Sequence, residues 1–179
     1  VFSIFIILLK KVMKYLYLTL ILATINSFGQ LVKVDYADGN QKLEGFFAKA
    51  QKANPKKAGI IVLPAWMGLD AHAKESAEAL AKLGYHAFVA DIYGVGNNPK
   101  NTGEAGKNAG FYKNNPAEYQ KRIQLAIDQL VKAGADKNQI AVIGYCFGGT
   151  SAIEAARGNL NVKGVVSFHG GLGKAANSP

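Results

Sequence analysis

A cysteine set between two glycines is the feature of this sequence that points most directly to chemistry. Cys146 lies two residues after Gly144 and two before Gly148, and a short apolar run at residues 140–143 leads into it. A strand that turns abruptly into a helix can present a nucleophile at the turn, provided that the residues two before and two after it are small. A sulfur at the N-terminus of a helix is also stabilised as the thiolate by the helix dipole. The spacing therefore predicts a nucleophile elbow with cysteine as the nucleophile.

Two other interpretations of this segment stay open. A dinucleotide-binding loop requires a glycine where the chain has Cys146, and an acidic residue about 20 positions later, in a region that reads Gly, Val, Val and Ser at residues 164–167. A buried packing cysteine is the commonest fate of a lone thiol. The two correctly spaced glycines favour the elbow over both.

The strands that would position this cysteine can be predicted from hydrophobic patterning. Residues 31–37 alternate, end at the turn signal Asp38-Gly39-Asn40, and are followed by a second alternating stretch at residues 42–48, which predicts an antiparallel hairpin. Short continuous apolar runs are typical of strands buried on both faces. Residues 59–63 form such a run, and residues 85–90, 139–143 and 162–168 are predicted to be the further strands of the sheet.

Four helices are predicted between and after these strands. One runs from a cap at Asp70 to about Leu83, and Gly84 ends it. A short one is expected around residues 104–113. The clearest has Asn115 at the cap and Pro116 at its first position, and the last covers residues 149–157. The expected apolar positions of the first and third helices are Ala77, Leu80, Ala81 and Leu83, and Tyr119, Ile123, Ala126, Ile127, Leu130 and Val131.

The order of these elements predicts an α/β fold. Repeated strand–helix units imply a mostly parallel sheet that carries helices on both faces. We expect one domain over residues 30–179, because a chain of 179 residues with 49% apolar and 18% charged residues suits a single globular unit.

The first 29 residues are predicted to be a signal peptide with an upstream extension. Lys10, Lys11 and Lys14 precede an apolar run at residues 15–25, and Met13 stands where such a peptide would naturally begin. We therefore expect export to the periplasm or out of the cell, with no membrane attachment after cleavage. The rival interpretation is a retained anchor, since residues 1–9 are also apolar, but the lysines interrupt the two runs.

The charge pattern does not indicate a nucleic-acid partner. The net charge is +9, and removing the three early lysines leaves 18 basic against 12 acidic residues, a net charge of +6. The basic residues are dispersed, and no basic stripe interleaved with aromatic residues is present. His72 and His86 lack a second ligand at metal spacing, so we predict neither a metal site nor a cofactor.

With its surrounding blocks, the elbow resembles the dienelactone hydrolase family over about residues 32–172. The matching blocks are residues 68–69, 83–85, 91–94, 144–149 and 164–170. The resemblance implies an α/β-hydrolase fold, with its last strands and helices missing here, and hydrolysis of small-molecule esters or lactones by a Cys-His-Asp triad. It also implies that Cys146 is the nucleophile, that Gly144 and Gly148 are the elbow glycines, and that the amides of Trp66 and Phe147 form the oxyanion hole.

The chain departs from the family pattern in three ways. Only Glu154 and His169 could serve as acid and base among the 33 residues (179 − 146) after the cysteine. We expect Glu154 to face away from the sulfur and His169 to end the last strand, so the acid and base are expected beyond the end of this chain. Ala65 stands where the best-known members carry a glutamate. The only two arginines fall on predicted helices, so no fork for a substrate carboxylate is apparent.

The sequence therefore predicts a hydrolase that cleaves a carboxylic ester, lactone or thioester through Cys146. The alternative is a non-catalytic binding protein of the same fold, or an inactive fragment, because the triad is incomplete within these residues. The apolar strand at residues 162–168 is expected to be an exposed sheet edge that promotes aggregation. The sequence predicts neither the substrate's identity nor the oligomeric state.

Overall fold

One six-stranded sheet organises the part of the chain that the structure describes. The computed structural model describes residues 31–174, so the predicted signal peptide at residues 1–29 lies outside the described residues, and export stays a prediction. The strands are β1 Val32–Asp38, β2 Gln41–Ala48, β3 Gly59–Leu63, β4 His86–Val89, β5 Ile140–Tyr145 and β6 Gly164–Phe168. The helices are α1 Ala71–Lys82, α2 Thr102–Asn114, α3 Pro116–Lys132 and α4 Phe147–Arg157.

The sheet confirms the predicted α/β architecture. Its strand order is β1-β2-β4-β3-β5-β6. β1 pairs antiparallel with β2, and β2 pairs antiparallel with β4. The other three pairings, β4 with β3, β3 with β5, and β5 with β6, are parallel. Because β3 and β5 are central and parallel, their carboxyl ends meet at one edge of the sheet, and this edge carries Cys146.

The predicted opening hairpin is present. Asp38 of β1 is directly opposite Gln41 of β2, so two residues connect the strands. Gly39, the first of these two, has φ +55°, a conformation that a side chain with a β-carbon disfavours. The turn signal in the sequence therefore reflects a real backbone requirement.

Helix α1 begins and ends about where the sequence predicted, but the assignment of Leu83 to its apolar face was wrong. The Asp70 carboxylate accepts a hydrogen bond from the Ala73 amide at 2.8 Å, which satisfies one of the free amides at the helix start. Leu83, predicted to lie on the apolar face, is 67% exposed. The helix ends at Lys82, and Leu83 follows as its C-terminal cap, so it no longer points along the buried face.

The junction between α2 and α3 differs from the prediction in its capping. Asn115 does precede α3, with Pro116 as the first helical residue, but its side chain makes no capping hydrogen bond to that helix. Its amide group instead donates to the carbonyl oxygen of Phe111 at 2.8 Å. The side chain therefore closes the end of α2 rather than the start of α3.

Helices cover both faces of the sheet, as predicted. Helix α1 packs small side chains, Ala73, Ala77 and Ala81, onto strands β2, β3 and β4. Helices α3 and α4 cover the other face, where the larger of the two apolar clusters lies. The buried residues of α3 include Tyr119, Ile123, Ala126, Ile127 and Leu130, all on its predicted apolar face.

A buried ion pair ties the hairpin to α3, and the sequence did not predict it. The Arg122 Nε lies 2.9 Å from the Asp38 carboxylate, and Lys121 Nζ lies 2.7 Å from the same group. A hydrogen bond from Lys121, followed by the charge of Arg122, lowers the pKa of Asp38. The Nε and Nη1 groups of Arg122 make no well-directed hydrogen bond within residues 31–174, so the contact is an ion pair of short distance but poor alignment.

Candidate active site

The backbone of Cys146 is bent into a conformation that L-amino acids rarely adopt. Its φ is 54° and its ψ is −113°, at the point where β5 has ended at Tyr145 and α4 begins at Phe147. A non-glycine residue in such a region costs about 1–3 kcal/mol and persists only when the surrounding structure enforces it. The sulfur-bearing residue therefore sits on a strained strand-to-helix turn, which is the geometry of a nucleophile elbow.

The two flanking glycines are sterically required. A β-carbon built on Gly144 would overlap the carbonyl oxygen of Gly148. A β-carbon on Gly148 would overlap the carbonyl oxygen of Leu63, the last residue of β3. The turn is therefore too tight for a side chain on either side of the cysteine.

Helix α4 begins two residues earlier than the sequence predicted. It starts at Phe147 rather than at residue 149, because the helix follows the elbow without an intervening loop. Gly148 and Gly149, which are poor helix formers, hid this start in the sequence. As a result, Phe147 occupies the first helical position, where a backbone amide has no intrahelical partner.

The Trp66 loop, residues 64–68, follows β3 directly. It lies next to the elbow because β3 pairs with β5, the strand that leads into Cys146. The Gly68 amide donates to the carbonyl oxygen of Ala65 at 2.9 Å, which makes the loop a tight turn, and Gly68 itself has φ +86°. Within residues 31–174, neither the Trp66 amide nor the Phe147 amide donates a hydrogen bond to another protein group. Two uncommitted amides at adjacent strand ends are the parts from which an oxyanion hole can be built.

Tyr93 links these two parts, and the sequence did not assign it a role. Its hydroxyl donates to the carbonyl oxygen of Trp66 at 2.8 Å, and its ring stacks on Phe147 with a centroid distance of 5.6 Å. Burial raises the pKa of Tyr93, so the hydroxyl keeps its proton and remains a donor. The only sequence signal for Tyr93 is that residues 91–94 form one of the segments that resemble the family.

Asp91 stabilises the backbone turn that contains Tyr93. Its carboxylate is buried and accepts hydrogen bonds from the Gly94 amide at 2.8 Å and from the Glu44 amide at 3.1 Å. Burial raises the pKa of Asp91, and the hydrogen bonds from backbone amides oppose that rise. The residue closes a turn rather than facing the cysteine.

A second tyrosine contacts the other side of the elbow. The Tyr119 hydroxyl donates to the carbonyl oxygen of Phe147 at 3.0 Å, and the two rings stack at 4.8 Å. Tyr112 completes a four-ring cluster, 5.8 Å from Tyr93 and 5.5 Å from Tyr119. The start of α4 is therefore packed on a rigid aromatic base.

The two candidates for acid and base lie where the sequence placed them. Glu154 is buried on α4, its carboxylate 2.6 Å from Arg157 Nη1 and 3.4 Å from the Gln120 amide of α3, so it faces the neighbouring helix. His169 directly follows β6, is exposed, and has φ 45°. No hydrogen bond joins its ring to Cys146 within residues 31–174.

The other two histidines make aromatic contacts. The His72 ring meets Tyr145 edge-on at 4.5 Å, and the His86 ring stacks on Phe47 at 5.8 Å. Burial, followed by the charges of two nearby lysines, lowers the pKa of His86. In the part of the chain that the structure describes, no group of three or more His, Cys, Asp or Glu side chains is placed to hold a metal ion.

Both arginines lie on helices, as expected, and both are engaged in pairs. Arg122 faces Asp38, and Arg157 faces Glu154 and the carbonyl oxygens of Leu172 and Gly173. Neither guanidinium is therefore free to hold a substrate carboxylate.

Between residues 31 and 174, the structure contains no helix that is both long enough and apolar enough to cross a membrane.

A cleft of about 410 Å³ opens beside Tyr93, but Cys146 does not line it. Its walls come from the loop after β4 and from α2, and they include Asn97, Asn108 and Phe111. The size of this cleft therefore says nothing about the reactivity of the sulfur. The backbone of the elbow is the better guide to the candidate site.

Comparison with known proteins identifies one family. The model of the dienelactone hydrolase family matches residues 43–179. The solved structure named m3DLH is 31% identical, with a TM-score of 0.78 over 84% of this chain and 63% of that one. The dienelactone hydrolase-like promiscuous phosphotriesterase P91 from metagenomic libraries is 35% identical, with a TM-score of 0.74 over 80% of this chain and 60% of that one.

A more distant likeness concerns the fold alone. An acylaminoacyl peptidase of Pyrococcus horikoshii is 18% identical, with a TM-score of 0.60 over 85% of this chain and 24% of that one. The chain spans less than two thirds of the length of each of these three proteins. No curated protein matches the sequence.

Proposed function

Since this chain belongs to the dienelactone hydrolase family, we propose that it acts on a carboxylic ester, lactone or thioester, with Cys146 as the nucleophile. One observation carries the proposal. Cys146 has φ 54° between two glycines that cannot carry a β-carbon. A fold accepts strain of that kind where it presents a reactive group. A packing cysteine would need neither the strained dihedral nor the glycines.

The proposed first step is acylation of the sulfur. The Cys146 thiolate attacks the carbonyl carbon, forming the S–C bond and pushing the carbonyl electron pair onto oxygen. When this tetrahedral intermediate collapses, the bond from carbon to the leaving oxygen or sulfur breaks, and the leaving group takes up a proton. The product of this step is a thioester on Cys146.

The amides of Trp66 and Phe147 are the proposed oxyanion donors. They belong to the turn after β3 and the first residue of α4, which lie beside each other because β3 and β5 are paired. A pre-positioned amide stabilises the developing negative charge, and removing one such donor typically costs about 10²–10³-fold in rate. The Phe147 amide also lies at the positive end of the α4 dipole.

The second proposed step is hydrolysis of the thioester. Water gives one proton to the base as it attacks the acyl carbon, the C–S bond breaks, and the carboxylic acid leaves the regenerated thiolate. The family resemblance assigns activation of the thiol and of this water to a histidine supported by an aspartate. Residues 31–174 supply the proposed nucleophile and the proposed oxyanion donors of this reaction.

The proposal is tested by pre-steady-state ester cleavage. We expect p-nitrophenyl acetate to release about one equivalent of p-nitrophenol per protein in a burst, because acylation precedes thioester hydrolysis. Cys146→Ala should abolish the burst. Since the chain has a single cysteine, no other thiol can account for it.

A non-catalytic binding protein gives a different outcome. It would bind an ester without releasing alcohol, and Cys146→Ala would leave that binding unchanged. A burst that persists in Cys146→Ala would also refute the proposal, because another group would then be the nucleophile.

A phosphotriester is a second candidate substrate. The observation that favours it is the 35% identity to P91, which is described as a promiscuous phosphotriesterase. On this reaction the thiolate would attack phosphorus and expel an aryloxide, forming an S–P bond. An aryl dialkyl phosphate assayed beside the carboxylic ester, with Cys146→Ala as the common control, measures the preference directly.

A further inference from the structure

The two residues proposed as oxyanion donors are held very differently. Phe147 lies inside α4, where its carbonyl oxygen receives the Tyr119 hydroxyl at 3.0 Å and the Ser151 hydroxyl at 3.3 Å. Trp66 lies in a turn outside any helix or strand, and its carbonyl oxygen receives the Tyr93 hydroxyl at 2.8 Å. Apart from the turn hydrogen bond from Gly68 to Ala65, the position of the Trp66 amide therefore depends on this side-chain contact, whereas the helix itself fixes the Phe147 amide.

Tyr93 is itself firmly placed. Its side chain is buried, and its ring is stacked on Phe147 with an angle of 21° between the ring planes. Its carbonyl oxygen accepts a hydrogen bond from the Asn97 side chain at 3.2 Å, and the Asp91 carboxylate closes the turn by accepting from the Gly94 amide. The Tyr93 ring thus packs on Phe147, and the Tyr93 hydroxyl donates a hydrogen bond to Trp66.

We propose that Tyr93 is a positioning residue of the oxyanion hole, which sets the separation between the Trp66 and Phe147 amides through its hydroxyl and its ring. The inference rests on the proposed function, because the hole matters only if Cys146 attacks a carbonyl or phosphoryl group. Tyr93 touches none of the reacting atoms. It acts through the Trp66 backbone.

If Tyr93 has this role, its loss should slow one reaction of the Cys146 sulfur and leave a second reaction of the same sulfur unchanged. Acylation by an ester passes through an oxyanion, so a displaced Trp66 amide slows it. Alkylation by iodoacetamide is a displacement at a saturated carbon, and no oxyanion forms. A residue that merely stabilised the fold or the elbow would change both reactions together.

Tyr93→Phe is the direct test, because it removes the hydroxyl and keeps the ring. We expect the acylation burst to slow about tenfold, less than the 10²–10³-fold cost of losing a donor outright, while alkylation stays within twofold of wild type. Tyr112→Phe is the matched control: it removes a hydroxyl from the same aromatic cluster, but that hydroxyl contacts neither the Trp66 nor the Phe147 carbonyl oxygen. Tyr112→Phe should leave both rates unchanged.

The single tryptophan of the chain provides a second readout that does not depend on catalysis. Trp66 is the only tryptophan and is 38% exposed, so its fluorescence reports on the loop alone. Acrylamide should quench Trp66 more strongly in Tyr93→Phe than in wild type, since the loop has lost its tether. Tyr112→Phe should be quenched like wild type.

If Tyr93→Phe does not fold, Gly68→Ala takes its place. This change keeps the Tyr93 hydroxyl but places a side chain at a residue with φ +86°, next to the movable end of Asn98, so it strains the Trp66 turn. It should reproduce slow acylation with normal alkylation. A wild-type acylation rate in either variant, or equal losses in both reactions, would overturn the role of Tyr93. A burst that survives Cys146→Ala would instead refute the proposed function.

Discussion

The backbone amide of Cys146 donates a hydrogen bond of 2.9 Å to the carbonyl oxygen of Phe168. This bond joins the elbow to the last residue of β6, so the turn is fixed from two sides: β5 and α4 along the chain, and β6 across the sheet. The strained φ of Cys146 is maintained by these neighbours rather than by its own preference.

Strain at Cys146 predicts that glycine at this position gives a more stable protein than alanine. Cys146→Gly should be more stable than Cys146→Ala by roughly 1 kcal/mol, because glycine accepts φ 54° without strain and that gain exceeds its greater entropy loss on folding. Urea denaturation followed by circular dichroism measures the difference. Equal stability, or a more stable alanine variant, would show that the turn carries no strain.

The elbow glycines should not tolerate a β-carbon. We expect Gly144→Ala and Gly148→Ala each to lower the free energy of unfolding by about 3 kcal/mol, since the new atom would overlap backbone that cannot move aside. Gly106→Ala is the control, because Gly106 lies in α2 with open space around it, and alanine there should stabilise the helix by about 0.5–1 kcal/mol. If all three variants melted alike, the close packing at the elbow would be wrong.

The buried pair of Asp38 and Arg122 should dominate the acid sensitivity of the hairpin. Asp38→Asn leaves Arg122 buried without its counter-charge and should cost about 3 kcal/mol near pH 7. Lys121→Gln, which removes the exposed partner, should cost much less stability, because solvent screens an exposed charge.

The pH dependence of this pair has a definite sign. Because the folded pKa of Asp38 is lowered, its contribution is fully present above the unfolded value of about 3.9 and is lost as the pH falls through the folded value. The stability gap between wild type and Asp38→Asn should therefore shrink below about pH 4. A gap that is constant with pH would mean that the pair is not coupled to folding.

Strand β6 is expected to drive self-association. Among the described strands β6 pairs only with β5 and so forms one edge of the sheet. Its residue Val166 is 47% exposed. Val166→Lys should reduce concentration-dependent association in sedimentation velocity, because a charge on an edge strand opposes pairing with another chain. Val95→Lys is the control, since Val95 is equally exposed but lies in a loop. Equal association of both variants with wild type would exclude β6 as the contact.

Local patterns predicted most of the fold because local rules determine those parts. The hairpin at Asp38 and Gly39 follows from turn chemistry, and the elbow follows from the close approach that removes side chains at Gly144 and Gly148. The capping prediction was wrong where two neighbouring helices compete for the same side chain. Asn115 has a good capping side chain, but the end of α2 takes it.

The supporting residues of the site could not be predicted, because they are defined by contacts across the fold. Tyr93 and Tyr119 are 26 residues apart (119 − 93), and both reach the backbone next to the elbow. In sequence, Tyr119 was simply one position on an apolar helix face. Likewise, the sequence shows Arg122 only as one of several dispersed basic residues on a predicted helix, whereas its burial depends on where the Asp38 turn packs.

The most direct test of the central claim is to locate the acyl group. The protein would be mixed with p-nitrophenyl acetate, quenched in acid during the burst, digested, and mapped by mass spectrometry. We predict one acetyl group on the peptide that contains Cys146, removed by hydroxylamine at neutral pH as a thioester would be. Acetyl groups only on lysine or serine residues, with an unmodified Cys146, would contradict the assignment of this cysteine as the nucleophile.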